Sequence, residues 1–392
     1  MERETQYLLR LLGAFLCGRE PETAEGIDWN RLLELARRHS VTGIVGYLGN
    51  TWHLCGDPEK KRVLRALCLS TMGLYARRAA AAEELEKALS HAGIDHILMK
   101  GYVLRDCYPV PELRTFNDID VVIRREDRQR SHALMLELGF QTHTDWEPVY
   151  SYFRGEELYE LHTDIMEIDV SRTGGQQRYF QTMWDHAAAA EPHSFRFTPE
   201  FHFLYLLTHL AKHVHGAGAG IRMYLDLAAF VRCYGGHTDW SRVCRELEAL
   251  KLRRFAEVVL TGAGQWFGVE LPWDCGPVEP VVLEELLRFT LEAGTFGKQE
   301  DAALTGLKQT DGDSPASRLK HLLRRSFPAA ETIQTRYTYL QDRPWLLPVA
   351  WVHRLVKTRQ SLGAHAREAG GILCADGGEL QRLKRLMREI GL

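Results

Sequence analysis

Gly93 separates two kinds of sequence, and this change limits the chain to folds that set a strand-rich core between helical regions. Before it, from Tyr7 to Ser90, apolar residues recur at three- and four-residue steps. Leu8, Leu11, Leu12, Phe15 and Leu16 fall on one broad face, and Trp29, Leu32, Leu33 and Ala36 on another. Asp57-Pro58 opens a long helical segment that Gly93 closes as a C-terminal glycine. From Ile94 the runs shorten. His96–Met99 and Asn117–Ile123 predict buried strands, with helices at Tyr102–Cys107 and Glu126–Leu138. Glu147–Phe153 and Glu157–Val170 predict further strands around a Gly155 turn. After Pro192 the helical period returns, first from Thr198-Pro199-Glu200 to Val214, then over Ile221–Tyr234, Asp239–Phe267 and Val281–Ala293. Residues 305–317 are polar and predict a linker. The stretch from Arg318 is helical, with breaks at Pro328, Pro344 and Pro348, and a last helix spans Glu379–Ile390.

The fold class expected is therefore α+β, a small mixed-sheet core flanked by N-terminal and C-terminal helical regions. The expected divisions are an N-terminal helical region over 1–92, an α/β core over 93–191, a helical domain over 192–300, and a linker with a C-terminal helical region over 301–392.

Charge and cysteine usage narrow the function class. Lys and Arg number 49 against 52 Asp and Glu, a formal charge of −3. There is no global basic field to draw in nucleic acid or a membrane surface, and neither is expected as a partner. No window approaches 18 apolar residues, and Leu8–Cys17 is broken by Arg10 and lacks a signal-peptide layout. The eight cysteines are scattered without a C-x-x-C pair, which reads as reduced, buried thiols in a cytoplasmic protein.

The residues that point to chemistry are Asp118 and Asp120, inside the apolar run Asn117-Asp-Ile-Asp-Val-Val-Ile123. Residues i and i+2 of a strand point to one face, with Cα atoms roughly 6.5–7 Å apart. Two carboxylates set side by side there repel, and call for a cation or for a raised pKa. Mg²⁺ suits such a pair, because it takes one or two carboxylates and completes its shell with water and phosphate oxygens. Taken alone, D-x-D is short and common, and a solvent-facing strand end is the more frequent account. The surroundings shift that balance. Lys100-Gly101 closes the preceding strand, where a glycine lets backbone N–H groups approach an anion. Arg114 precedes the acidic strand and can pair bidentately with a phosphate or an aspartate. Glu160, in Tyr159-Glu-Leu-His162, offers a third carboxylate, with Glu167 and Asp169 as rivals.

Together these pieces resemble the uncharacterised nucleotidyltransferase family, a branch of the DNA polymerase β-like nucleotidyltransferase superfamily. The matching residues are Ile97-Leu-Met-Lys-Gly101, Leu104, Tyr108-Pro109, Arg114, Asn117–Val122 and Tyr159–His162. His209-Leu-Ala-Lys-His213, Gly220-Ile-Arg222 and Leu225-Asp-Leu227 are similar to the family's helical signature. Gly294–Gly297, Arg325–Pro328 and Leu346–Trp351 extend the likeness, which covers about residues 90–360. The resemblance implies a nucleotidyltransferase core in which Asp118, Asp120 and Glu160 bind Mg²⁺ or Mn²⁺. It implies a nucleoside triphosphate substrate and an NMP, most simply AMP, moved to an acceptor that is a small molecule, peptide or protein. Lys100, Gly101, Arg114, His209, Lys212 and Arg222 are the candidates for holding the nucleotide. The superfamily usually carries Gly-Ser or Gly-Gly before its acidic strand; here Lys100-Gly101-Tyr102 stands instead, and the gap to Asp118 is longer.

His209 and His213 share one helix face, but the H-E-x-x-H glutamate is absent, so hydrogen bonding within the helical layer, or contact with substrate, is favoured over a zinc site. Arg222 and Asp226 are spaced for an intrahelical salt bridge. Trp345 and Trp351, with Arg354, Lys357 and Arg359, read as a packed helix with a solvated basic face. Two other function classes fit the acidic pair. One is a metal-dependent glycosyltransferase using a nucleotide sugar. The other is a catalytically degenerate fold that binds a nucleotide or a partner, motivated by the missing Gly-Ser.

Overall fold

The computed structural model describes residues 2–146, 148–166, 170, 175–295, 323, 326–333, 337, 339–357 and 377–392. Glu167 and Asp169, the 305–317 linker, Gly297, Arg318, Arg325 and Arg359 lie outside the described residues.

Four helices come first: α1 (Arg3–Leu16), α2 (Trp29–Arg38), α3 (Thr42–Thr51) and α4 (Pro58–His91). The long α4 starts as its sequence predicts. The Asp57 side chain accepts from the Glu59 and Lys60 amides, Pro58 takes the first turn, and Gly93, at φ +65°, releases the chain after the last. The sheet elements follow: β1 (His96–Leu98), α5 (Gly101–Leu104), β2 (Asp118–Ile123), α6 (Arg128–Glu137), β3 (Gln141–Trp146), β4 (Val149–Arg154) and β5 (Glu157–His162). Then come α7 (Gln176–Phe180), β6 (Ala187–Glu191), β7 (Ser194–Phe197), α8 (Pro199–His215) and α9 (Ile221–Tyr234). Helices α10 (Trp240–Ala249), α11 (Arg253–Phe267) and α12 (Pro280–Ala293) precede a C-terminal helix over Gly377–Ile390.

The strands form one seven-stranded sheet in the order β3-β4-β5-β2-β1-β7-β6. It is mixed: β2 runs parallel to β5 and β1 to β7, while β1–β2, β3–β4, β4–β5 and β6–β7 are antiparallel. The α+β class holds. Strand β5 is shorter than the predicted Glu157–Val170, ending at His162. The sequence reading missed β3, β6 and β7. Because β7 pairs with β1, the sheet continues past position 192, where the helical domain was expected to begin.

Alternation along β2 gives the sheet two different faces. Ile119, Val121 and Ile123 join Leu85, Leu89 and Met135 in one core under α4 and α6. Val122, Ile97 and Met99 join a larger core with Tyr205, Leu225 and Leu12, which ties the opposite face to α8, α9 and α1. Asp118 and Asp120 lie in the same alternation as Val122, so the acidic residues face the helical layer. The seven cysteines among the described residues are free; Cys55, Cys68 and Cys275 are buried, whereas Cys233 is exposed. No described helix is long and apolar enough to cross a membrane.

His39 joins the N-terminal helices to α9. Its buried Nδ1 accepts from the Ile221 amide at 3.2 Å, an arrangement that requires an unprotonated nitrogen. Burial, helped by the charge of Arg38, pushes its pKa down to about 4. An unfolded histidine titrates near 6.5. Between those values the unfolded chain binds the proton that the folded one refuses. The stability conferred by the neutral ring is therefore complete above pH 6.5 and is lost as pH falls toward 4, by roughly 3 kcal/mol. Thermal unfolding at pH 7 and pH 4.5 checks this: the wild type should lose more stability over the interval than His39→Gln. Equal losses would remove His39 from the account.

Candidate active site

The β2–β5 register builds the site. Asp120 pairs with Glu160, and Asp118 with Leu158, so the two acidic strands place their side chains on one face. His162, two residues beyond Glu160, falls on that face too. Ligand atoms of Asp120, Glu160 and His162 all lie within 4.8 Å of one another. His162 Nε2 is 2.8 Å from Asp120 Oδ1 and 3.5 Å from Glu160 Oε2. Asp118 stands on the same face, outside this tight trio.

Lys100 closes the arrangement from β1. Its Nζ donates to Asp120 Oδ1 at 2.6 Å. The backbone there has φ +51° and ψ −124°, a conformation that costs a non-glycine residue on the order of 1–3 kcal/mol and persists only where the surroundings enforce it. Two backbone bonds do so: the Met99 amide donates to the Asp120 carbonyl, and the Leu104 amide to the Lys100 carbonyl. The strained turn brings an ammonium onto a carboxylate that is only 1% exposed.

The electrostatics split the aspartates. Burial works to raise the Asp120 pKa, but Lys100 and His162 outweigh it and hold the carboxyl far below the usual range. Asp118 moves the other way, raised first by the charge of Asp120 and then by burial. Burial lowers the Lys100 and His162 pKa values, yet the carboxylates beside them leave both raised. Asp120 is thus held ionised by Lys100 and by its hydrogen bond with His162, while at Asp118 the pull of Lys100 does not offset burial and the charge of Asp120, so an added cation would favour its ionised form.

The helical layer supplies the roof. Tyr205, His209 and His213 follow one another along α8, with ring centroids 5.8 Å and 4.6 Å apart. Burial and then the positive charge of Lys100 push the His209 pKa well down; burial and Lys212 bring His213 to about 4. Both imidazoles are neutral near pH 7. Half-buried Lys212 lies between them in sequence. Arg222 Nη1 donates to the Thr115 carbonyl and hydroxyl, each at 3.0 Å, and so holds the loop entering β2.

The intrahelical pair expected on α9 does not form. Arg222 does not pair with Asp226. Asp226 accepts from Arg114 Nε at 3.0 Å, Arg114 Nη2 at 2.6 Å and the Tyr108 hydroxyl at 2.7 Å. Arg114 also donates to the Thr115 carbonyl, so of the two partners open to it, a phosphate or an aspartate, its buried guanidinium takes the aspartate. A bidentate carboxylate with a phenol donor, 5% exposed, is a better-matched partner than an adjacent-turn pair on the helix surface. Arg114 is a positioning residue that clamps the β2 approach to α9. Gly101 likewise serves packing: a Cβ there would run into Arg114 Nη1 and Phe116 Cβ. Gly101→Ala should therefore lower stability by about 1–3 kcal/mol and loosen Lys100, read as a lower melting temperature together with reduced turnover. A fully stable variant would show that the contact yields freely.

The sequence model of the uncharacterised nucleotidyltransferase family matches residues 25–268, which includes every residue of this site. The chain belongs to the uncharacterised nucleotidyltransferase family. No curated protein and no solved structure matches it. As a member of this nucleotidyltransferase family, it carries the acid-bearing strands inside the matched span, together with the α8–α9 roof. His162 is the site residue that sequence reasoning left without a role. Its signal was present, a histidine two residues after a strand glutamate, but its meaning depends on the β2–β5 register. Glu160 lies beside Asp120 and His162, while its rivals Glu167 and Asp169 lie outside the described residues.

Proposed function

We propose that the protein is a divalent-metal-dependent nucleotidyltransferase that moves a nucleoside monophosphate, most simply AMP, from a triphosphate to an acceptor that is a small molecule, a peptide or a protein. The observation that carries this reading is the convergence of Asp120, Glu160 and His162 beside Asp118 in a chain of this family. The donor set fits a divalent cation. Carboxylate oxygens suit Mg²⁺ or Mn²⁺, and the imidazole nitrogen suits Mn²⁺ better than Mg²⁺. Asp118, Asp120, Glu160 and His162 would hold the metal, which when bound supplies activation of the attacking oxygen and neutralisation of charge on the departing pyrophosphate.

The chain's own groups have separate tasks. Asp120 stays ionised, so it is ready to ligate at neutral pH. Lys100 is the nearest fixed positive charge to the carboxylates and would stabilise developing phosphate charge. Neutral His209 and His213 offer hydrogen bonds without repelling Lys100. Arg222 shapes the approach through Thr115.

The test is release of pyrophosphate from each nucleoside triphosphate with Mg²⁺, with Mn²⁺ and with chelator. Metal-dependent release that Asp118→Asn abolishes supports the reading; release unaffected by chelator rejects it. A second reading, nucleotide binding without turnover, draws on the Lys100–Asp120 ion pair, since an ammonium already neutralises the central carboxylate. Saturable ATP binding with no product from any acceptor would favour it.

A further inference from the structure

A cavity of about 270 Å³ lies where α5, β7, α8 and α9 meet, and none of the acidic-site residues lines it. Its lining includes Arg105, Arg196 and His202, with Tyr102 and Phe230 as aromatic walls. Four buried nitrogen atoms on these three residues have no hydrogen-bond acceptor among the described residues: Arg105 Nε and Nη1, Arg196 Nη1 and His202 Nε2. His202 is 6% exposed, so its unmatched nitrogen is not explained by contact with bulk solvent. Leaving buried polar nitrogens unmatched is costly, on the order of 1–3 kcal/mol each; the three guanidinium nitrogens are donors, and neutral His202 can present Nε2–H as a fourth.

The lining sets two guanidiniums, Arg105 and Arg196, against one carboxylate, Asp106, a balance that still favours an anion. Arg105 lies over the Tyr102 ring, 3.8 Å from its centroid, which fixes the plane of the guanidinium. Arg105 Nε lies 3.4 Å from the 68% exposed Asp106 carboxylate, an ion pair without a hydrogen bond, while Nη1 has neither. Arg196 reaches Glu86 through Nη2 at 3.5 Å, leaving Nη1 for the cavity. A fixed guanidinium fork, a second guanidinium and a buried imidazole between aromatic walls match an oxyanion on a flat apolar body.

We infer that this cavity is a binding site for a small organic anion, a carboxylate or phosphate ester carrying a planar ring, separate from the acidic cluster. It does not rest on the catalytic reading, because binding is measured without turnover.

The experiment is calorimetric titration of the full chain with benzoate, phenyl phosphate and, as the neutral analogue, benzyl alcohol. Saturable binding of at least one anion is expected, without binding of the alcohol. The stronger anion identifies carboxylate or phosphate as the preferred headgroup. Arg105→Gln should weaken that binding about tenfold or more. Arg196→Gln, at a side chain 40% exposed and easier to replace without harm to folding, should weaken it in the same direction. No saturable binding of either anion, equal binding of the alcohol, or unchanged affinity in a folded Arg196→Gln variant would overturn the assignment.

Discussion

Replacing Asp120 with asparagine is expected to lower metal-dependent nucleotidyl transfer by about 10³-fold, equivalent to roughly 4 kcal/mol of transition-state stabilisation. The size follows from its position. Among the described residues, Asp120 touches both Lys100 and His162 and forms one ligand cluster with Glu160 and His162. An amide has the same shape but no charge, so it would weaken cation binding and leave Lys100 facing a neutral group. Asp118→Asn should also impair turnover, yet it should not destabilise the fold, because the Asp118 carboxyl is raised by repulsion from Asp120. Initial rates of pyrophosphate release, normalised to folded protein by circular dichroism, make the comparison. An Asp120→Asn enzyme within threefold of wild type would remove this carboxylate from catalysis.

The largest stability effect is expected at Arg114. Its pair with Asp226 joins the loop entering β2 to α9, with side chains 7% and 8% exposed. Removing one partner of a buried pair leaves the other charge uncompensated, at a cost of about 3–5 kcal/mol. That is a large share of the roughly 5–15 kcal/mol by which domains are stable. Arg114→Met should therefore show a strongly lowered denaturation midpoint in urea. The double variant Arg114→Met with Asp226→Leu should recover part of the loss, since both charges are gone, although Tyr108 then loses its acceptor. Arg114→Lys should not restore the wild type, because an ammonium cannot make both guanidinium bonds. A stability change below about 0.5 kcal/mol in Arg114→Met would show that the clamp contributes nothing.

What the sequence could reveal depended on how local the cause was. The long α4 and the acidic strand β2 were legible because a cap and an apolar period act within a few residues: Asp57-Pro58 at one, Ile119 to Ile123 at the other. The outer strands were not. β3 and β6 are the sheet's two edges, and their side chains, Gln141 to Asp145 and Ala188 to Glu191, are largely exposed, so no apolar alternation marked them. In the site, the shared face of Asp118 and Asp120 follows from the two-residue strand period. The partner of Arg114 does not, since Asp226 lies 112 positions away and the nearer Arg222 offered a plausible local match. His162 became a ligand candidate only through the pairing of Asp120 with Glu160. The positive φ of Lys100, which brings its ammonium to Asp120, has no glycine or asparagine to announce it.

The most direct measurement is a crystal structure with Mn²⁺ and a non-hydrolysable nucleoside triphosphate, the ion located by its anomalous signal. The account predicts a peak bounded by Asp120, Glu160 and His162, near Asp118, with the triphosphate tail reaching Lys100. A metal bound elsewhere, or a triphosphate seated without any ion at these side chains, would contradict it.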